Sequence, residues 1–319
     1  MGAIPADEAV RNLQVVNLDY PSYLRLSRKE FKTRIERAFD LTSPCRLCPR
    51  ECGVDRLAGE IGFCGAGAHA VVSSYTPHPG EEPPLSGYHG SGTIFFTHCN
   101  LRCVFCQNYP ISQLGHGNEE TTEALADMML SLERRSCHNI NFVTPTHMMP
   151  WILKGLYLAI EGGLRTPLVY NTGGYDTLEA LQILDGIIDI YLPDMKYDDP
   201  EVAKKYSSAP DYPEVNRIAI KEMHRQVGEL VLDEEGIAIR GMIVRHLVLP
   251  KGLAGSEGIL NFLARDVSPH TAVSLMAQYF PAYRADEFPE INEILSRQDY
   301  QKAVLAMERA GLDQGWRQR

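Results

Sequence analysis

Three cysteines, Cys99, Cys103 and Cys106, fall within the run THCNLRCVFCQNYP (97–110), separated by three residues and then by two. Short spacings of this kind suit a loop wrapped around one face of a compact iron–sulfur cluster, whose [4Fe–4S] form usually takes four thiolates. Three protein ligands leave one iron open, and a metal with an open position can bind and activate another molecule. A structural zinc that borrows a ligand such as His98 is the plainer alternative. Three thiols that merely pack is the plainest.

A second group lies upstream: Cys45, Cys48, Cys52 and Cys64 in CRLCPRECGVDRLAGEIGFC. Four thiolates can close a tetrahedral zinc site or hold another iron–sulfur cluster, and the spacing does not separate the two; four reduced, metal-free cysteines are the plainer alternative. The glycines among them would let the chain turn around such a centre. Only Cys137 of the eight cysteines stands apart, and it reads as a buried thiol. A reducing interior disfavours disulfides, so clustering argues for metal.

The elements that must carry these residues alternate. Short apolar or β-branched runs occur at 93–97, 140–144, 167–171, 187–192, 242–249 and 271–276, with helix-like stretches between them. Leu125, Met128, Met129 and Leu132 share one helical face, and Ser27/Glu30, Asp176/Glu179, Ser256 and Ser296/Asp299 mark helix starts. One or two helices are expected in 199–229, followed by a turn at 233–236. Six strands alternating with helices predict an α/β fold with a parallel sheet, either an open partial barrel or doubly wound. In both, ligands gather at the C-terminal ends of the strands, and the cysteine triplet follows the first. Residues 1–40 read as a leader plus one helix, 41–92 as a Cys/Gly/Pro-rich metal-binding segment, and 93–319 as the β/α body.

The 319 residues are 44% hydrophobic with a net charge of -10. The acidic balance leaves no basic field for nucleic acid or anionic lipid. There is no long apolar run, the start lacks the apolar core of a signal peptide, and Ala6 breaks the myristoylation pattern that Gly2 would open. The expectation is a soluble, cytoplasmic protein without membrane or nucleic-acid partners.

Cys-x3-Cys-x2-Cys after the first strand, with Phe105 before the last cysteine, resembles the radical S-adenosylmethionine (radical SAM) superfamily. The continuation CQN looks like the branch of pyruvate formate-lyase activating enzyme. CRLCPRECGVDRLAGEIGFC, INFVTPTH, VYNTGGYDT, YLPDMKY and VRHLVLP are similar to its PflX-like group. The resemblance spans most of residues 45–310 and implies a partial (β/α)6 barrel with an N-terminal cysteine-rich extension. It implies a [4Fe–4S] cluster on Cys99, Cys103 and Cys106 with S-adenosylmethionine (SAM) on the open iron, cleaved to a 5′-deoxyadenosyl radical. It also implies an external electron donor, flavodoxin or ferredoxin-like, and a backbone glycine of a partner protein as hydrogen donor. Radical chemistry on a small molecule or peptide is one alternative; a non-catalytic iron–sulfur or zinc protein is the other.

Several strand-end residues are candidates for contacting the cofactor. The Gly-Gly-Glu-like segment of the family is replaced by VTPTH, where Thr144 and Thr146 offer hydroxyls and His147 is either a substrate contact or internally bonded. Asn171 and Thr172 can bond a ribose or carboxylate, while Gly173 and Gly174 permit either close approach or a tight turn. Asp194 and Lys196 flank Met195 and can share a face, as a structural ion pair or as ligand contacts. Arg245 in an apolar run needs a carboxylate, either that of SAM or that of Asp194.

Overall fold

The computed structural model describes residues 20–317; the leader before Tyr20, with its N-terminal signals, lies outside the described residues. The first helix, α1 (Arg28–Asp40), starts where expected: the Ser27 hydroxyl accepts the Glu30 amide at 3.2 Å. Its apolar stripe packs on α3 (Met149–Glu161), with Phe31 against Tyr157 and Phe39 against Trp151. The segment before it is pinned far along the chain. The Ser22 amide donates to Asp189 at 2.8 Å and the Tyr23 hydroxyl to the Thr166 carbonyl at 3.0 Å.

Parallel strands β2 (Ser91–Phe96), β4 (Ile140–Val143), β5 (Leu168–Thr172), β6 (Ile190–Pro193), β8 (Ala238–Leu247) and β9 (Ala272–Met276) correspond to the six expected runs. They lie side by side in that order, so each crossover moves one place along the sheet. β5, β6 and β9 are buried at every residue, as sheets covered on both faces require. β10 (Gly315–Arg317) extends one edge in parallel. At the other, β1 (Ala70–His78) joins β2 antiparallel and is followed by β3 (Asn118–Glu120). The sheet is not closed: β3 and β10 remain its two ends, giving the partial barrel.

Helix α2 (Thr122–Arg134) buries Leu125, Met128, Met129 and Leu132 as the periodicity predicts. It lies against α3 where Gly155 leaves room; a Cβ there would stand 2.9 Å from that of Leu125. The 199–229 stretch holds two helices, α5 (Pro200–Ser207) and α6 (Tyr212–Val227), and Asp233–Gly236 turns between β7 (Val231–Leu232) and β8. Two expected helix starts need correction. α4 (Leu178–Leu184) is capped by Thr177 rather than Asp176, because Asp176 is buried and bound by other hydroxyls. α7 (Ser256–Phe262) starts after Gly255 in the left-handed region, and the Ser256 hydroxyl instead bonds His246 at 2.8 Å. α8 (Arg297–Ala310) is capped by Ser296, which accepts the Asp299 amide. Among the described residues no helix is long and apolar enough to cross a membrane.

Candidate active site

A cavity of about 390 Å³ opens at the C-terminal ends of the parallel strands. Cys99, Cys103 and Cys106 line it together with Thr144, Asn171, Thr172, Asp194, Lys196 and Arg245. The cysteine loop hangs from the end of α5, whose last carbonyls have no partner within the helix. The Val104 amide donates to the Tyr206 carbonyl at 2.9 Å and the Arg102 amide to that of Ser207 at 3.3 Å. On its other side the Arg284 amide donates to the Val104 carbonyl, and the Gln107 side chain donates to the Gln278 carbonyl. Tyr283 stacks on Tyr109.

Each sulfur has a polar neighbour. The Leu101 amide donates to Cys99 at 3.4 Å, the Ser207 hydroxyl to Cys103 at 2.9 Å, and the Ser112 hydroxyl lies 3.0 Å from Cys106. Burial, then the neighbouring Cys103, pushes the Cys99 and Cys106 thiols above the ordinary range, while the local donors pull them down. Donors aimed at sulfur favour thiolate, the form that binds metal. Among the described residues no three His, Cys, Asp or Glu side chains stand within reach of a single metal ion. A cluster makes a different demand, because each cysteine binds a different iron and the sulfurs stand farther apart than around one ion. An all-thiol donor set on one cavity wall fits such a group.

A charged network lines the same cavity. Asp194 accepts from Arg245 at 2.9 Å and from Lys196 at 2.6 Å. Arg245 also donates to the Asn171 side-chain oxygen Oδ1 at 2.7 Å and lies 3.7 Å from Glu81. Burial raises the Asp194 carboxyl, but Arg245 and Lys196 outweigh it and hold the group below the usual range. Glu81 goes the other way. Burial, together with Glu82 beside it, overcomes Arg245 and raises its pKa to about 7. Arg245 thus has the internal partner considered for it, while it and Lys196 keep 19% and 21% of their side chains exposed. Two carboxylates and two cations side by side can receive both ends of an amino acid.

The remaining candidates separate. Thr144 lines the cavity with φ 60, a left-handed conformation that is strained for a β-branched residue. Thr146 does not line it: its hydroxyl donates to Asp176 at 2.7 Å and meets that of Thr172 at 3.1 Å. The Thr172 hydroxyl likewise donates to Asp176, at 2.7 Å, so this residue faces the cavity with its hydroxyl engaged below. His147 is buried, its Nε2 bonded to the Thr97 carbonyl, and burial lowers its pKa to about 3. Phe105 packs edge-on to Tyr197, Tyr206 and Tyr279, bordering a smaller adjoining recess. Gly173 lines the cavity; Gly174 takes φ +72, where a Cβ would strike the Asp194 carbonyl at 2.3 Å.

His78, the last residue of β1, and Glu81, just beyond it, line the cavity and escape the sequence reading. Their signal is the run HPGEEPP, two adjacent acids set between prolines just before the first parallel strand.

The family model described as the radical SAM superfamily matches residues 93–230. An uncharacterised protein of Methanocaldococcus jannaschii is 31% identical over 317 residues, covering 96% of this chain and 87% of that one. A radical SAM methyltransferase from Sphaerobacter thermophilus is similar in structure, with a TM-score of 0.46 at 13% identity over 71% of this chain and 66% of that one. HydG, a maturase of the [FeFe]-hydrogenase, has a TM-score of 0.46 at 15% identity over 97% and 65%.

Proposed function

The chain belongs to the radical SAM superfamily, and from that premise we propose that its cavity binds SAM for reductive cleavage and presents the resulting radical to a segment of another polypeptide. The observation that carries this reading is the three-thiol loop, without a fourth cysteine beside it, in a cavity that also holds Asp194, Lys196, Arg245 and Glu81. Cys99, Cys103 and Cys106 would hold a [4Fe–4S] cluster. When bound, that cluster supplies the electron that splits SAM into methionine and a 5′-deoxyadenosyl radical.

The chain's own residues orient the reaction. Lys196 and Arg245 offer donors to a carboxylate, and Asp194 and Glu81 offer acceptors to an ammonium group. Thr144 and Asn171 line the same cavity. Phe105, locked among three tyrosines, fixes the loop's inner turn.

The finer reading, a glycine of a glycyl radical enzyme as hydrogen donor, rests on the activating-enzyme resemblance. An unclosed sheet that leaves room for a partner's loop supports it. A flavodoxin or ferredoxin-like donor would supply the electron, placing the protein in the cytoplasm.

The test is low-temperature EPR of anaerobically reconstituted, reduced protein with and without SAM, alongside measurement of 5′-deoxyadenosine. A reduced-cluster signal that shifts with SAM and vanishes in Cys103→Ala is expected. A signal indifferent to SAM that survives the substitution would remove the radical reading. A glycyl radical formed on an added partner would establish the finer one, and modification of a small molecule alone would replace it.

A further inference from the structure

The four upstream cysteines take no part in the cavity, yet the chain around them is folded about their sulfurs. From Leu41 to His69 the backbone forms neither helix nor strand beyond a single Thr42–Cys45 bridge. Cys45, Cys48 and Cys64 are nevertheless buried, Cys52 is half-buried, and none is in a disulfide. The Cys45 amide donates to the Val54 carbonyl and the Gly53 amide to that of Cys45, clamping the ends of a tight loop around Cys48 and Cys52. Within it the Leu47 amide points at the Cys45 thiol and the Arg50 amide at that of Cys48. Burial raises the Cys45 thiol, and the neighbouring Cys52 adds to the rise. Burial raises the Cys48 thiol to about 12, against the pull of the Arg50 amide; Cys64, Cys45 and Cys52 add to the rise. Gly62 leaves space for the Cys52 sulfur, which a Cβ there would meet at 2.6 Å.

A loop-rich segment of this length has little core of its own. Four cysteines gathered in one short segment, three of them buried and two under main-chain amides, are a poor use of its volume unless something binds them. We propose that Cys45, Cys48, Cys52 and Cys64 hold a second metal centre, closed by four thiolates and separate from the cavity. Both zinc and an iron–sulfur cluster meet that chemistry. Closing it would bring the four sulfurs together on a segment whose loop ends the Cys45, Val54 and Gly53 main chain already clamps.

The centre would be mechanically joined to the triplet. Arg50, between Cys48 and Cys52, donates to the Asn100 carbonyl at 2.9 Å, to that of Ser207 at 3.2 Å and to that of Ser208. Its guanidinium lies 3.9 Å from the centre of the Phe63 ring, next to Cys64, and Arg102 donates to the Phe63 carbonyl at 2.6 Å. Asn100 adjoins Cys99, and Ser207 is the residue whose hydroxyl reaches Cys103.

The experiment is elemental analysis of the anaerobically purified full chain carrying Cys99→Ala, Cys103→Ala and Cys106→Ala. About one zinc per chain, or iron with acid-labile sulfide, is expected, to fall to none when Cys48→Ser is added and to stay when Cys137→Ser is added. Zinc or iron identifies the metal; either supports the site. A triple variant with no bound metal, or one whose metal survives both Cys48→Ser and Cys64→Ser, overturns it. Should that variant misfold, wild-type protein is alkylated natively and mapped by mass spectrometry with and without metal removal. Protection of the four upstream cysteines that ends on metal removal supports the centre, and labelling unchanged by metal removal refutes it.

Discussion

Both cysteine groups aim a main-chain amide from two residues downstream at a thiol: Leu47 at Cys45 and Arg50 at Cys48 in one, Leu101 at Cys99 and Asn108 at Cys106 in the other. They differ in the number of thiols and in what surrounds them. The upstream knot has four thiols and clamped loop ends. The triplet has three, facing a cavity lined by Asp194, Lys196, Arg245 and Glu81. On the proposed reading, the same local device would serve a closed site in one place and an open one in the other, with the fourth thiol making the difference.

Exchanging the damage gives the sharpest break. Cys103→Ala should reduce 5′-deoxyadenosine formation to background while lowering stability by only about 1 kcal/mol, an ordinary buried truncation. Cys64→Ser should lower stability by about 3 kcal/mol or more, because metal binding and folding are one process in such a segment. Denaturant titration of both variants decides. Equal losses would mean the two groups are not different in kind.

Arg50→Ala tests the link between the regions. Loss of its charge-assisted bonds and its stacking on Phe63 should cost about 2–3 kcal/mol. It should also change the EPR line shape of the triplet's cluster while the knot keeps its metal. An unaltered line shape would show that the knot holds only itself.

The open site alone contains a carboxyl out of place. Glu81, raised from 4.5 to about 7, binds more protons folded than unfolded between those values. Stability should therefore fall as pH rises through that window and level off above it. In Glu81→Gln this slope should be absent, giving melting curves that diverge from wild type as pH rises from about 5 to about 7. Parallel curves would remove the assignment.

Thr146→Val should do least. Withdrawing one donor from buried Asp176 is expected to cost about 1–2 kcal/mol and to leave SAM affinity unchanged, as read by calorimetry. Weakened SAM binding would move Thr146 back into the cavity group.

Much of this arrangement is legible in the chain. The six parallel strands read out because buried strands are apolar along their length, and the Ser27 and Ser296 caps because their partners are three residues away. Side-chain direction below the strand ends is harder. Asp176 sits where a cap belongs, yet it turns inward because Thr146 and, from β5, Tyr170 and Thr172 converge on it. Glu81 was illegible for a related reason. β1 lies in a segment dominated by Cys, Gly and Pro, and only pairing with β2 carries its trailing turn to the cavity. Arg245 showed its need for a carboxylate but not which one.

The bond from the Ser22 amide to Asp189 spans 167 residues. At a synthesis pace of about 5–20 residues per second, its partner arrives roughly ten to thirty seconds after it does. The docking surface of α1 is likewise made later, since Trp151 and Tyr157 follow Phe39 and Phe31 by more than a hundred residues. On the ribosome, then, the first helix emerges with its aromatic stripe bare, and the nascent chain must remain soluble through an interval set by translation speed.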